Sequence, residues 1–212
     1  TSVDLADRIV LKTIEEDQIV IHSTNGFLPL DQRNHAYKAA KLLKDTYQIE
    51  KGVDISIEKN IPIAAGLAGG SSDAAATLRG LNRLWHLNLS NDELALLGEK
   101  IGSDVPYCVY GGTAYATGRG EKIQQIETPP QCWVVLVKPK KGISTWTVFE
   151  NLSFDQLVHP ETDKMLTAIQ EKDYVQMAGS TGNALETVSA IKQPDINHIK
   201  KSNIYFKHIT FH

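Results

Sequence analysis

The sequence predicts an α+β fold, and three observations carry that expectation. Val53, Ile55 and Ile57 alternate with Asp54, Ser56 and Glu58, the period-2 signature of a half-buried strand. A few residues on, Ala74, Ala75, Leu78, Leu81 and Trp85 recur at helical spacing. Between them the run Pro62-Ile63-Ala64-Ala65-Gly66-Leu67-Ala68-Gly69-Gly70-Ser71-Ser72 delivers the chain from strand to helix. With 212 residues, 42% hydrophobic and 22% charged, the chain can bury the core of one large or two modest domains.

The other elements follow in chain order. Residues 4–12 and 18–22 read as strands, and residues 35–48 as a helix with Ala36, Ala39, Ala40, Leu43 and Tyr47 on one face. Ser90-Asn91-Asp92-Glu93 has the capping-box pattern, starting a helix over 92–100 that Gly102 ends. Residues 113–117 and 122–126 read as strands joined through a tight turn at Gly118-Arg119-Gly120. The character changes at Thr128-Pro129-Pro130, which places domains at 1–130 and 131–212. Beyond it, Trp133-Val134-Val135-Leu136-Val137 reads as a continuous apolar strand, and residues 165–169 and 175–188 as helices.

Composition excludes several classes. A formal net charge of −3 and a pI near 6.1 give no global basic field, so no nucleic-acid partner is expected. No apolar run approaches membrane-spanning length, and no signal peptide is visible, so the expected place is the cytoplasm. Two cysteines, Cys108 and Cys132, suit a reducing compartment and read as packing residues. The seven histidines show no metal-ligand spacing, with His208 and His212 a weak exception, so no protein-held metal is expected.

The small-residue run has the chemistry of a phosphate cradle. Glycines without Cβ atoms let backbone N–H groups approach an anion, and the helix that follows offers unsatisfied donors and the positive end of its dipole. No Lys follows Gly70, which excludes a Walker-type loop, and Gly66, Gly69 and Gly70 miss the dinucleotide spacing. The alternative is a plain turn in which Ser71 caps the helix.

The full string resembles the ATP-binding motif of the GHMP kinase family. A second string, Gly102-Ser103-Asp104-Val105-Pro106-Tyr107-Cys108 with Gly111-Gly112-Thr113-Ala114 and Thr117-Gly118-Arg119-Gly120-Glu121, resembles the 4-diphosphocytidyl-2-C-methyl-D-erythritol kinases within it. The resemblance implies a ribosomal S5 domain-2-like N-terminal domain and part of a ferredoxin-like C-terminal domain. It implies ATP and Mg²⁺ as cofactors and transfer of the γ-phosphoryl group to the 2-hydroxyl of a cytidine-diphosphate-linked methylerythritol, in non-mevalonate isoprenoid synthesis. It also implies that residues 62–72 cradle ATP, with Lys59 and Asn34 near the nucleotide, that Asp104 is catalytic, and that Phe149 stacks on cytosine.

Each residue has a plainer reading. Asp104 commonly starts a turn, Lys59 is a solvated strand-end charge, Phe149 is core, and Ser71 and Ser72 cap. The sequence opens at Thr1 in mid-pattern, without the family's Lys-bearing strand and Asp-Gly-Tyr-His segment, and residues 203–212 stand where the family has a third glycine motif. Lys59, Arg119 and bound Mg²⁺ are then the candidate cations. The expectation is a short form of low turnover that self-associates, and the alternative is a nucleotide-binding or oligomerisation fragment.

Overall fold

The computed structural model describes residues 1–139, 148, 150–152 and 159–203. The chain divides into two compact units, one of Thr1–Ile63 with Leu67–Thr128, the other of Ala64–Gly66 with Pro129–His212. The first unit is built on a three-stranded sheet of β1 (Arg8–Ile14), β2 (Ile19–Ser23) and β3 (Gly52–Glu58), in the order β1-β3-β2. The central strand is antiparallel to β1 and parallel to β2. Its alternation sends Val53, Ile55 and Ile57 inward to 0–1% exposure. Leu11 and Ile21 flank Ile55 in register from either side. Burying each such aliphatic side chain contributes about 1.5–3 kcal/mol. The other face stays polar, with His22 Nε2 3.1 Å from Asp54 Oδ2.

Two helices cover the inner face. Helix α1 (His35–Tyr47) starts at the N-cap Asn34, whose Oδ1 accepts from the Ala36 amide. It presents Ala36, Ala39, Ala40 and Leu43 to the core. Helix α2 (Gly69–Leu84) packs Ala74, Ala75, Leu78 and Leu81 against α1 and the sheet. Helix α3 (Asn91–Glu99) has the expected capping box: the Ser90 hydroxyl accepts from the Glu93 amide, and the Ser90 amide donates to the Glu93 carboxylate. Sequence reading missed helix α4 (Val105–Tyr110), where Pro106 falls in the first turn and its missing N–H costs no intrahelical bond. A hairpin of β4 (Ala114–Thr117) and β5 (Lys122–Gln125) closes the unit, its turn requiring positive φ at Gly118 and Gly120.

The described part of the second unit carries α5 (Thr162–Glu171), α6 (Tyr174–Gly179), α7 (Glu186–Lys192) and α8 (Asp195–Asn203). The single helix expected over 175–188 is two helices: Asp173 caps α6 through the Val175 and Gln176 amides, α6 ends at Gly179, and Gly182 lies in the break before α7. The strand expected at Trp133 through Val137 does not form. No described strand lies alongside to complete a ladder, and the run is exposed, Trp133 at 85% and Val135 at 82%. Cys132 is exposed too, and so is not a packing residue.

In the first unit, β1 starts at Arg8 rather than residue 4 because its ladder ends where Arg8 meets Glu58. Phe149 and residues 204–212, with His208 and His212, lie outside the described residues. No helix among the described residues is long and apolar enough to cross a membrane.

Candidate active site

The small-residue loop runs from the end of β3 into α2, and its backbone is unusual. Ala64 (φ 53), Gly66 (φ 70) and Ala68 (φ 51) all adopt left-handed conformations. For the two alanines this costs about 1–3 kcal/mol each, a strain typical of ligand-binding segments. Interleaved left-handed residues ahead of a helix are how backbone N–H groups line anion-binding concavities. The helix begins at Gly69 with Ala68 as N-cap and no side-chain capping bond, so Ser71 sits inside the first turn and is not the cap. Ser72 Oγ donates to the Gly69 carbonyl at 2.9 Å.

Both glycines at the start of α2 lie in close approach to side chains, Gly69 the more tightly. A Cβ on Gly69 would lie 2.9 Å from Ile61 Cγ2 and 3.0 Å from Lys59 Nζ. A Cβ on Gly70 would lie 3.0 Å from His35 Nδ1. The first turn of α2 therefore lies directly against Lys59 and His35. A cavity of about 450 Å³ lies elsewhere, between β1 and the C-terminal half of α2, lined by Ile9, Leu11 and Arg83. It touches none of these loop residues.

Lys59 is not a solvated strand-end charge. Its side chain is 3% exposed and forms ion pairs with Asp7 and, at 2.9 Å, with Asp73 Oδ2. The two carboxylates differ in their surroundings. Asp7 Oδ1 accepts the amides of Asn60 (2.6 Å) and Ile61 (2.8 Å). Burial works against its ionisation, but Lys59 and these amides together hold its pKa below the ordinary value. Asp73, in the first turns of α2, takes its one side-chain cation from Lys59 and faces the Asp7 carboxyl, and its Oδ1 is buried without a hydrogen-bond partner. Burial, with the neighbouring Asp7 charge opposing Lys59, pushes its pKa up to about 7. Sequence reading missed Asp7 and Asp73. The available signal was a carboxylate on the apolar stripe of α2, where Asp73 precedes Thr77 and Leu81 at helical spacing.

Asp104 is exposed and lies at the N-cap of α4 in right-handed conformation, making no side-chain capping bond. Its position is set by contact between α3 and α4, where Gly98 leaves room for Val105: a Cβ there would lie 2.6 Å from Val105 Cγ1. Cys108, one turn into α4, has its thiol pushed up to about 11 by burial and by the charges of Asp104 and Asp73. Asp73 and Asp104 thus act on one side chain. Arg119 pairs with Glu99 at 3.0 Å in an exposed position. Asn34, 3% exposed, uses its side chain on the Ala36 amide and the Pro29 carbonyl, so its observed role is to start α1.

Residues 34–112 match the GHMP kinases N terminal domain, a segment holding the loop, Lys59, Asp73 and Asp104. Over 201 residues, the chain is 60% identical to a 4-diphosphocytidyl-2-C-methyl-D-erythritol kinase of Geobacillus sp. (strain WCH70), covering 95% of this chain and 70% of that protein. The chain belongs to the 4-diphosphocytidyl-2-C-methyl-D-erythritol kinase family. The family member of Bacillus subtilis (strain 168) is 58% identical over 200 residues, 94% of this chain and 69% of its own length. A crystal structure of 4-(cytidine 5'-diphospho)-2C-methyl-D-erythritol kinase superposes with a TM-score of 0.69 at 28% identity, covering 92% of this chain and 68% of that one. A homoserine kinase from Cytophaga hutchinsonii shares the fold, with a TM-score of 0.73 at 17% identity over 93% of this chain and 70% of that one. The fold is therefore the α+β architecture of GHMP kinases, and the family is one of small-molecule kinases.

Proposed function

We propose that the chain is an ATP-dependent kinase acting on the 2-hydroxyl of 4-diphosphocytidyl-2-C-methyl-D-erythritol, a cytoplasmic step of non-mevalonate isoprenoid synthesis. The observation that carries the reading is the 60% identity to a relative of that name across 95% of the chain, over a segment that includes the loop, Lys59 and Asp104. The geometry supports it, since a strained small-residue loop running into a 16-residue helix is a fit receptor for a triphosphate. In this reading residues 1–130 form the ATP-binding domain and residues 131–212 contribute to the substrate side, with Phe149 stacking on cytosine.

Bound ATP supplies the phosphoryl group, and Mg²⁺ accompanies its phosphates. The chain's own residues position and neutralise. Backbone amides from Ile63 to Ser72 cradle the phosphates, with Pro62 leading the chain into the loop, and Asn34 fixes the start of the helix beside them. Lys59 acts from beneath, holding the loop floor through Asp7 and Asp73. Asp104, free of capping duty, orients the acceptor hydroxyl or takes its proton.

Gly69→Val tests the cradle, because any side chain at Gly69 must displace Ile61 or Lys59. The variant should lose ATP affinity by calorimetry while keeping its helical circular dichroism. A folded variant with unchanged affinity removes the loop from the reading.

A further inference from the structure

We propose that Asp73 is a proton-carrying positioning residue beneath the phosphate loop, so that the nucleotide and a proton bind together. The inference rests on the loop being the ATP site and concerns how that site is regulated. Its basis is a count of charges in a closed space. Asp7, Lys59 and Asp73 form one buried cluster, with Lys59 at 3% side-chain exposure and Asp73 at 2% residue exposure. Two ionised carboxylates on one ammonium leave a net negative charge in a low-dielectric interior, which one proton removes.

The site of that proton follows from the hydrogen bonds. Asp7 accepts two backbone amides besides Lys59, an arrangement that stabilises its ionised form. Asp73 has an orphaned Oδ1, which becomes a neutral hydroxyl when protonated. The raised pKa of Asp73, about 7, agrees.

The other groups around it leave the assignment unchanged. On α4, the Cys108 thiol is pushed up to about 11 and stays neutral, with the exposed Asp104 beyond it. On α1, the His35 ring against Gly70 has its pKa lowered by burial and by Lys38. Lys59 is the cation ion-paired to the cluster.

The cluster is joined to the loop directly, because Gly69 lies so close to Lys59 Nζ that a methyl group there would be 3.0 Å away. A triphosphate held by the same turn of α2 brings a large negative charge over Asp73. It must raise the carboxyl's proton affinity, and by linkage protonated Asp73 binds the nucleotide more tightly than ionised Asp73. The proton comes from solvent and resides on Asp73; no bond to the nucleotide changes.

Calorimetric titration of the full chain with MgATP, between about pH 6 and pH 8 in buffers of different ionisation enthalpy, tests this. Saturating Mg²⁺ keeps the terminal phosphate ionised across the range. The native chain should take up a fraction of a proton, most near pH 7. Its affinity should fall with rising pH, by about tenfold for each unit by which nucleotide raises the Asp73 pKa. Asp73→Asn should show a flat profile and no uptake. A native chain without net uptake, or an Asp73→Asn profile sloped like the native one, overturns the proposal; if the variant fails to fold, the native measurement alone decides. Gly69→Val separates the layers. Unchanged MgATP affinity in that variant defeats the ATP-site reading itself, whereas lost affinity with zero native proton uptake defeats only the role of Asp73.

Discussion

Asp104 and Asp73 are both carboxylates beside helix N-termini, yet one is exposed and the other 2% exposed, and that difference assigns them different work. An exposed, uncapped carboxylate can meet an acceptor hydroxyl. Asp104→Asn should therefore depress kcat by roughly 10²–10⁴-fold while leaving ATP affinity nearly intact, the range for loss of one acid–base group. Near-normal turnover would remove Asp104 from the mechanism. For Asp73 the consequence is thermodynamic. Its folded-state pKa is raised from the ordinary 3.8 to about 7, so this group's own contribution to stability is fully present below the lower value and is lost as pH rises through the upper one. Asp73→Asn escapes that loss. Its gain in melting temperature over the native chain should grow from about pH 4 to pH 7 and then flatten, and a gain that shrinks with pH would contradict the burial argument. Residue chemistry was only partly legible in the sequence. Glycines and Asp104 sit in local strings, whereas Lys59 is buried by Asp7 and Asp73, and a contact spanning 52 residues leaves no local trace.

At the level of elements, periodicity succeeded where one face is buried. β3 and α1 have the alternation and stripe that their sequences show, and the Ser90–Glu93 capping box was readable to the residue. Ser90→Ala should cost about 1 kcal/mol in chemical denaturation, the usual value of an N-cap side chain. A change below a few tenths would mean the helix is held by packing alone. Helix α4 escaped notice because six residues containing Pro106 carry too little periodicity, and its place is fixed by tertiary contact with α3. That contact links element packing to the site. Gly98→Ala puts a methyl group 2.6 Å from Val105 Cγ1, next to Asp104. Overpacking of this kind costs about 1–3 kcal/mol, and displacing α4 should lower kcat more than ATP affinity. A variant destabilised to that extent but with native kcat would show that Asp104 does not depend on the α3–α4 seam.

For the whole molecule, the two units differ in how much of their structure the sequence announced. The first has a sheet whose central strand is buried on one face against two helices, so local pattern and tertiary environment agree. In the second, Trp133 through Val137 carries a strand's composition, but strand formation requires a neighbour, and composition cannot supply one. The result is a stretch of exposed apolar side chains, Trp133 at 85%, Val134 at 54%, Val135 at 82%, Leu136 at 47% and Val137 at 51%. An apolar segment with no ladder partner among the described residues offers hydrophobic area to a second copy. A net charge of only −3 on 212 residues gives little repulsion to oppose association. The chain should therefore associate with itself as its concentration rises, seen as a concentration-dependent sedimentation coefficient. Trp133→Lys with Val135→Lys should return it to the monomer without changing the circular dichroism, because neither residue is in the buried core. A native chain that sediments as a monomer throughout the micromolar range, or a double variant that associates as strongly as the native chain, would show that this segment does not drive assembly.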